Sequence, residues 1–239
     1  GGHALAIRLR GGLVESGEGD TLAGFVGQLD AFLLKAAKKV RLGGRHDTLE
    51  SCFDFSLGFV ARSSPELERA LARLSEFRGA FLGFMAVWAL FPIADDTPDE
   101  ERKAWTQQTQ TTLHRLWELG LLERQLLPVG EEETLIFYHL HPALAPFAAQ
   151  RLNPAEQALA REGYFAAMYR LGGMADEQYR QGGLLIPLLQ RALPDLTRAA
   201  QLRDDREGSL LRFRVARLLV NFGELDAALQ LYEESLAIK

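Results

Sequence analysis

Apolar side chains recur at steps of three and four residues along most of this chain, a spacing that gathers them on one face of successive α-helices. Helical stretches are expected at 4–14, 22–36, 49–60 and 67–77, forming a compact four-helix unit. Their ends carry their own chemistry. Asp20 or Thr21 can cap the second helix and Gly43-Gly44 closes the loop after it. Asp47 or Thr48 can cap the third, and Ser64-Pro65-Glu66 opens the fourth.

The period is interrupted in one stretch. After Phe77-Arg78-Gly79 come an apolar helix (81–91), an acidic loop IADDTPDEE, and a long polar helix (100–120). Two strand-like runs follow, LLERQLL (121–127) and TLIFYHL (134–140), separated by Pro128-Val129-Gly130 and three glutamates. Helices followed by a hairpin with a charged tip point to a winged helix. From Asn153 the pattern is helical again: Pro154 starts one helix, Gly172-Gly173 is expected to end it, and Pro187 and Pro194 punctuate the next. The last stretch, SLLRFRVARLLVNFGELDAALQLYEESLAIK, reads as a helix–turn–helix pair of the tetratricopeptide kind. Ala216 and Ala228 occupy its small positions, Gly223-Glu224-Leu225 its turn, and Tyr232 and Leu236 are expected to face inward. One such repeat cannot bury its own face, so more are expected beyond Lys239.

The reading is therefore a mostly-α fold in three parts: a small helical domain (1–78), a winged-helix domain with a β-hairpin wing (79–152), and a helical linker with a first repeat (153–239). A hydrophobic content of 47% is enough to build a core of this size. The 13-residue apolar run LGFMAVWALFPIA is shorter than the roughly 20 residues that a bilayer crossing takes, so no membrane partner is expected. With 27 basic against 32 acidic side chains, the net charge of −5 offers polyanions no general attraction. Between Phe77 and Leu152 there are six Lys and Arg against ten Asp and Glu, a poor balance for a wing meant to grip duplex DNA. The single cysteine, Cys52, forbids an internal disulfide and fits a reducing compartment, with cytoplasm as the default. The chain opens on Gly1-Gly2-His3 with neither an initiator methionine nor a secretory signal, which reads as a segment of something longer.

Catalytic motifs are missing from the sequence. There is no G-x-x-x-x-G-K-[ST], H-E-x-x-H, G-x-S-x-G or C-x-x-C, so this segment is not expected to be an enzyme by itself. The basic run KAAKKVRLGGR is adequately explained as a solvated helix end. WTQQTQTTLHRL (105–116) offers glutamines and threonines that could meet base edges, with Arg115 almost alone in supplying charge.

What remains is FYHLHPAL (137–144). His139 and His141 would share one strand face, which permits a metal pair, although no third ligand follows them. Both could equally be ordinary, partly buried histidines satisfied by backbone groups. Pro142 ends the strand and suits the first turn of a helix at 143–150, placing His141 at a corner from which an imidazole can be presented outward.

Three stretches in order resemble the C-terminal part of the nucleotide-switch module of STAND signal-transduction ATPases, the class that includes NB-ARC proteins. Gly2-His3-Ala4-Leu5-Ala6 is similar to the family's G-x-P-L-A motif, TLESCFDFSLGFVARSSPELERALARLSEFRGAF to the passage into the winged helix, and Tyr138-His139-Leu140-His141-Pro142 to its nucleotide-reading motif. The resemblance implies that His141 hydrogen-bonds the β-phosphate of ADP and that Ala4 stands where the family's proline packs on adenine. Pro142 replaces the aspartate that often follows the histidine in immune relatives. ADP or ATP, with Mg, would then be held only in the full-length parent, on an ATPase core upstream of Gly1, and an unidentified protein or ligand trigger would act through the repeats. The competing readings are a winged-helix transcription regulator with a helical dimerisation or sensing tail, and a stand-alone repeat adaptor.

Overall fold

The computed structural model describes residues 57–58, 60–62, 64–91, 93–94, 96–129, 133–179 and 186–238. The expected helices at 4–14 and 22–36, most of that at 49–60, Ala4, Cys52 and the basic run at 35–45 lie outside the described residues.

Helix α1 (Pro65–Leu74) starts where the sequence says it should: the Ser64 hydroxyl accepts from the Leu67 N–H at 3.4 Å, Pro65 takes the first position, and Glu66 and Glu68 face the positive end of the dipole. Strand β1 (Phe81–Leu82) leads directly into α2 (Gly83–Leu90) and then α3 (Asp99–Glu118). Strands β2 (Leu122–Val129) and β3 (Glu133–Leu140) form the hairpin. The sheet order is β1-β3-β2, all antiparallel, with Phe81 opposite Tyr138 and Leu122 opposite Leu140. A helix, a short strand, two helices and a hairpin, with the first strand pairing with the last, is the topology of a winged helix. The expected apolar helix thus begins two residues late, because Phe81 and Leu82 are spent on a third strand. A two-residue strand has no period from which sequence could separate it from the helix behind.

Five further helices follow: α4 (Ala145–Ala149), α5 (Pro154–Tyr179), α6 (Ile186–Ala200) and the pair α7 (Arg206–Asn221) and α8 (Leu225–Ala237). A reciprocal capping box opens α5, with the Asn153 Oδ1 accepting from the Glu156 N–H at 2.9 Å and the Glu156 carboxylate from the Asn153 N–H at 3.1 Å. Three expectations here are corrected. Gly172-Gly173 does not end α5, which runs on to Tyr179; a Cβ at Gly172 would stand 3.0 Å from Leu211 Cδ1, so the glycines serve the contact with α7 rather than a stop. Pro194 lies inside α6 without breaking it. Leu236 faces outward, 84% exposed, whereas Ala216 and Ala228 are buried and Tyr232 meets Phe213 edge-on at 5.5 Å, as the repeat pattern requires. Gly223, with φ +83°, makes the turn between α7 and α8 that a side chain would strain.

One continuous hydrophobic core runs from Leu57 and Leu71 through Phe81, Phe137 and Tyr164 to Leu196, Val215 and Leu231. The winged helix and the arm are therefore packed as one body. Their seam is polar at its centre. Asp195, 1% exposed on α6, accepts from the Arg78 N–H at 2.9 Å and the Gly79 N–H at 2.8 Å, and from the Tyr164 hydroxyl at 2.8 Å. Burial, reinforced by Asp195, holds the Tyr164 phenol far above its usual range, so it stays a donor. Arg198, over the Tyr164 ring at 4.9 Å, pairs with Glu76. At Gly163 on α5, a Cβ would fall 2.2 Å from the Ala89 carbonyl oxygen, a closeness to α2 that only glycine allows.

Candidate functional site

Strand β3 carries Phe137 and Leu140 into the core and ends at Leu140, so His141 is the first residue beyond the sheet. Its carbonyl accepts from the Leu144 N–H at 2.8 Å and the Ala145 N–H at 3.3 Å, which closes the turn 142–144 onto the start of α4. Leu144 is fully buried and Ala145 nearly so, anchoring the turn from below, while Pro142 and Ala143 are exposed. The expected corner is present with one correction. Pro142 sits in the turn rather than at the head of a helix at 143–150, and it is Pro146 that takes the early position of the five-residue α4.

The ring of His141 is itself part of the turn. Its Nδ1 accepts from the Ala143 N–H at 3.2 Å, the kind of local side-chain-to-backbone bond that Asn and Asp more often make. In the neutral ring this places the remaining proton on Nε2, leaving that atom a donor, and Nε2 has no partner among the described residues. The result is a half-exposed imidazole held at two points, through its carbonyl and through Nδ1, with one donor to spare.

His139 lies within the ladder, opposite Glu123. Because β3 stops before His141, strand alternation no longer sets the direction of the second ring relative to the first. Among the described residues no group of three His, Cys, Asp or Glu side chains could hold a metal ion. Ala4, the other residue assigned to nucleotide, lies outside the described residues.

The polar helix α3 bears Gln107, Gln108, Gln110 and Thr111 on its exposed side. Thr106 and Thr111 turn their hydroxyls back to the carbonyls of Arg102 and Gln107, four residues earlier, at 2.8 and 3.0 Å. Glu118 takes up two side chains of the last turns, Arg115 at 2.9 Å and His114 at 3.2 Å, and the Arg115 hydrogen bond holds its carboxyl below the usual range. The first turn is acidic, with Asp99, Glu100 and Glu101. Trp117 is covered by Arg124 from β2 at 4.2 Å.

Sequence reasoning passed over a groove between α2, α3 and α5, enclosing about 630 Å³ and lined by Phe84, Val87, Trp88, Arg102, Arg170 and Met174 among others. A second hollow of about 360 Å³ shares Trp88, Ile93 and Arg170 and adds Arg73. No spacing signal could have found them, since their walls come from four separate helices, the last of them beginning 36 residues after α3 ends.

No family model, curated protein or solved structure matches this chain.

Proposed function

We propose that the chain is a regulatory segment of a STAND-type signalling switch, in which a small helical domain, a winged helix and a helical arm couple the ADP or ATP state of an upstream ATPase core to a protein or ligand trigger sensed by helical repeats. The segment performs no catalysis of its own. Nucleotide and Mg belong to the parent protein, His141 supplies a donor to the β-phosphate of ADP, and Ala4 stands against the adenine. The protein works in the cytoplasm, without nucleic acid.

The observation that carries this reading is the His141 corner. A phosphate oxygen calls for a donor, and the bond between Nδ1 and the Ala143 N–H leaves Nε2 as that donor. The ring is also positioned before any ligand arrives, which spares the ordering cost of a mobile side chain. A contact made when the winged helix docks on the core and broken when it leaves is what a switch requires, because a ligand shifts a conformational equilibrium only through differential affinity. The fused core of winged helix and arm supports the coupling: a force applied at α7 and α8 reaches the corner through packed helices rather than through a loose linker.

The test is ADP retention by the parent polypeptide. His141→Ala should speed ADP release at least tenfold, and an unchanged release rate overturns the assignment. The exposed Gln and Thr side chains of α3 favour a second reading, a winged-helix regulator bound to duplex DNA. Its acidic first turn and the engagement of Arg115 by Glu118 oppose phosphate contact. Binding to random duplex at low salt, weakening steeply as salt rises, would establish that reading instead.

A further inference from the structure

We propose that the groove between α2, α3 and α5 is a binding site for a small organic anion with a flat apolar body, a site independent of the switch reading. Its floor is apolar and aromatic: Phe84 and Trp88 meet edge-on at 5.0 Å, with Val87 and Met174 beside them. Its polar groups are the neutral Thr106 and Gln110 and the cationic Arg102 and Arg170. Arg170 reaches across from α5, lies 5.8 Å from the Trp88 ring centroid and donates through Nη2 to the Ile93 carbonyl. Arg102, on α3, donates through Nη2 to the Ala94 carbonyl at 3.2 Å, and Arg73 on α1 to the Leu90 carbonyl at 3.1 Å.

These bonds explain why the arginines are ordered, since they satisfy carbonyls at and beyond the C-terminal end of α2. The helix end carries roughly half a negative charge, while Arg170 and Arg73 bring two guanidinium groups to the hollows. Among the described residues the carboxylate lining the second hollow is Glu162, engaged by Arg203 at 3.6 Å. Arg170 forms no ion pair with a described residue, and Nε of Arg73 is buried without a hydrogen-bond partner among them. A volume of about 630 Å³ lies within the range that holds a drug-sized ligand, and a few convergent polar groups over an apolar floor are the usual composition of such sites. The guanidinium fork fits the planar oxygens of a carboxylate or the oxygens of a phosphate, and the indole fits a ring.

The probes are 2-naphthoate, 2-naphthyl phosphate and the neutral 2-naphthamide, titrated into the full chain and followed by tryptophan fluorescence and by chemical shifts of the Met174 methyl group. Either anion should bind below about 1 mM, with the amide at least tenfold weaker; which anion binds tighter separates carboxylate from phosphate recognition. Arg170→Gln should weaken the anion about tenfold and leave the amide unchanged, and Arg170→Lys should recover part of the loss, which separates lost charge from lost folding. Arg191→Gln, outside the groove, should change nothing. Equal affinity for anion and amide, no binding by the wild-type chain, or a Met174 methyl that does not respond overturns the proposal.

Discussion

Asp195 and His141 are both polar side chains at junctions of the molecule, and they are used in opposite ways. Asp195 is buried where the arm meets the winged helix, and its two oxygens serve two backbone N–H groups and a phenol. His141 is half-exposed where a strand gives way to a short helix, with one nitrogen bonded to the backbone and the other unclaimed among the described residues. A buried polar group with every bond made is a fastening, since an unmade bond there would be costly. A surface group whose orientation is fixed but whose bonding capacity is not used up is a candidate contact. The contrast sets a fastening at the seam against a proposed contact at the corner, and it can be attacked from either side.

The heaviest blow to the seam is Asp195→Ala. It strips acceptors from the Arg78 and Gly79 N–H groups at a buried carboxylate, while the Tyr164 hydroxyl keeps the Asp195 backbone carbonyl at 2.8 Å. A loss of about 4 kcal/mol in urea unfolding is expected, from roughly 1–3 kcal/mol for each orphaned group. A loss below about 1 kcal/mol would mean that the seam is wet and the contrast with the corner false. Gly163→Val comes next. The added side chain meets the Ala89 carbonyl oxygen, and relief demands that α5 move off α2. About 3 kcal/mol is expected, the upper part of the overpacking range, with the near-ultraviolet circular dichroism of Trp88 changing in step.

Tyr164→Phe is milder, costing about 1–2 kcal/mol at neutral pH through its hydrogen bond. It also carries a pH signature. The Tyr164 phenol titrates higher in the folded protein than its usual value near 10, chiefly through burial, so the native state holds its proton where the unfolded chain has lost it. By linkage, its stabilisation is complete below about pH 10 and declines as pH rises above that value. The wild-type chain should lose stability along this alkaline limb more steeply than Tyr164→Phe does. Tyr138, raised more simply by burial, contributes to the same limb and should be left in place for the comparison. At the corner, His141→Ala should change unfolding stability by no more than about 0.5 kcal/mol, as for surface positions away from buried networks, because the Ala143 N–H it exposes can turn to water.

The contrast was only half legible in the sequence. Helices α1, α3 and α5 to α8 and the hairpin follow from three-to-four and two-residue periods, and Ser64-Pro65, Pro154 and Gly223 mark boundaries that the structure keeps. What failed were rules that tertiary contact overrides. Gly172-Gly173 resembles a stop but is a contact surface for Leu211 and Arg214. Phe81 and Leu82 read as helix until β3 offers them a partner. Leu236 has the right spacing to point inward, yet lies on the outer side of α8 together with Leu225 and Leu229. The corner at His141 was visible because Pro142 must end the strand. The bond from the Ala143 N–H to Nδ1 was not, since it depends on a side-chain rotamer, and the Asp195 seam was not, since its backbone partners Arg78 and Gly79 lie more than a hundred residues from it along the chain.

The most direct measurement is the dissociation rate of labelled ADP from the parent polypeptide, with His141 intact, replaced by Ala, and replaced by Gln to restore a donor. The account predicts release at least tenfold faster for His141→Ala, partial recovery for His141→Gln, and unfolding curves that superimpose on the wild type. Equal release from all three proteins, or a parent reading frame with no phosphate-binding loop ahead of Gly1, would contradict it.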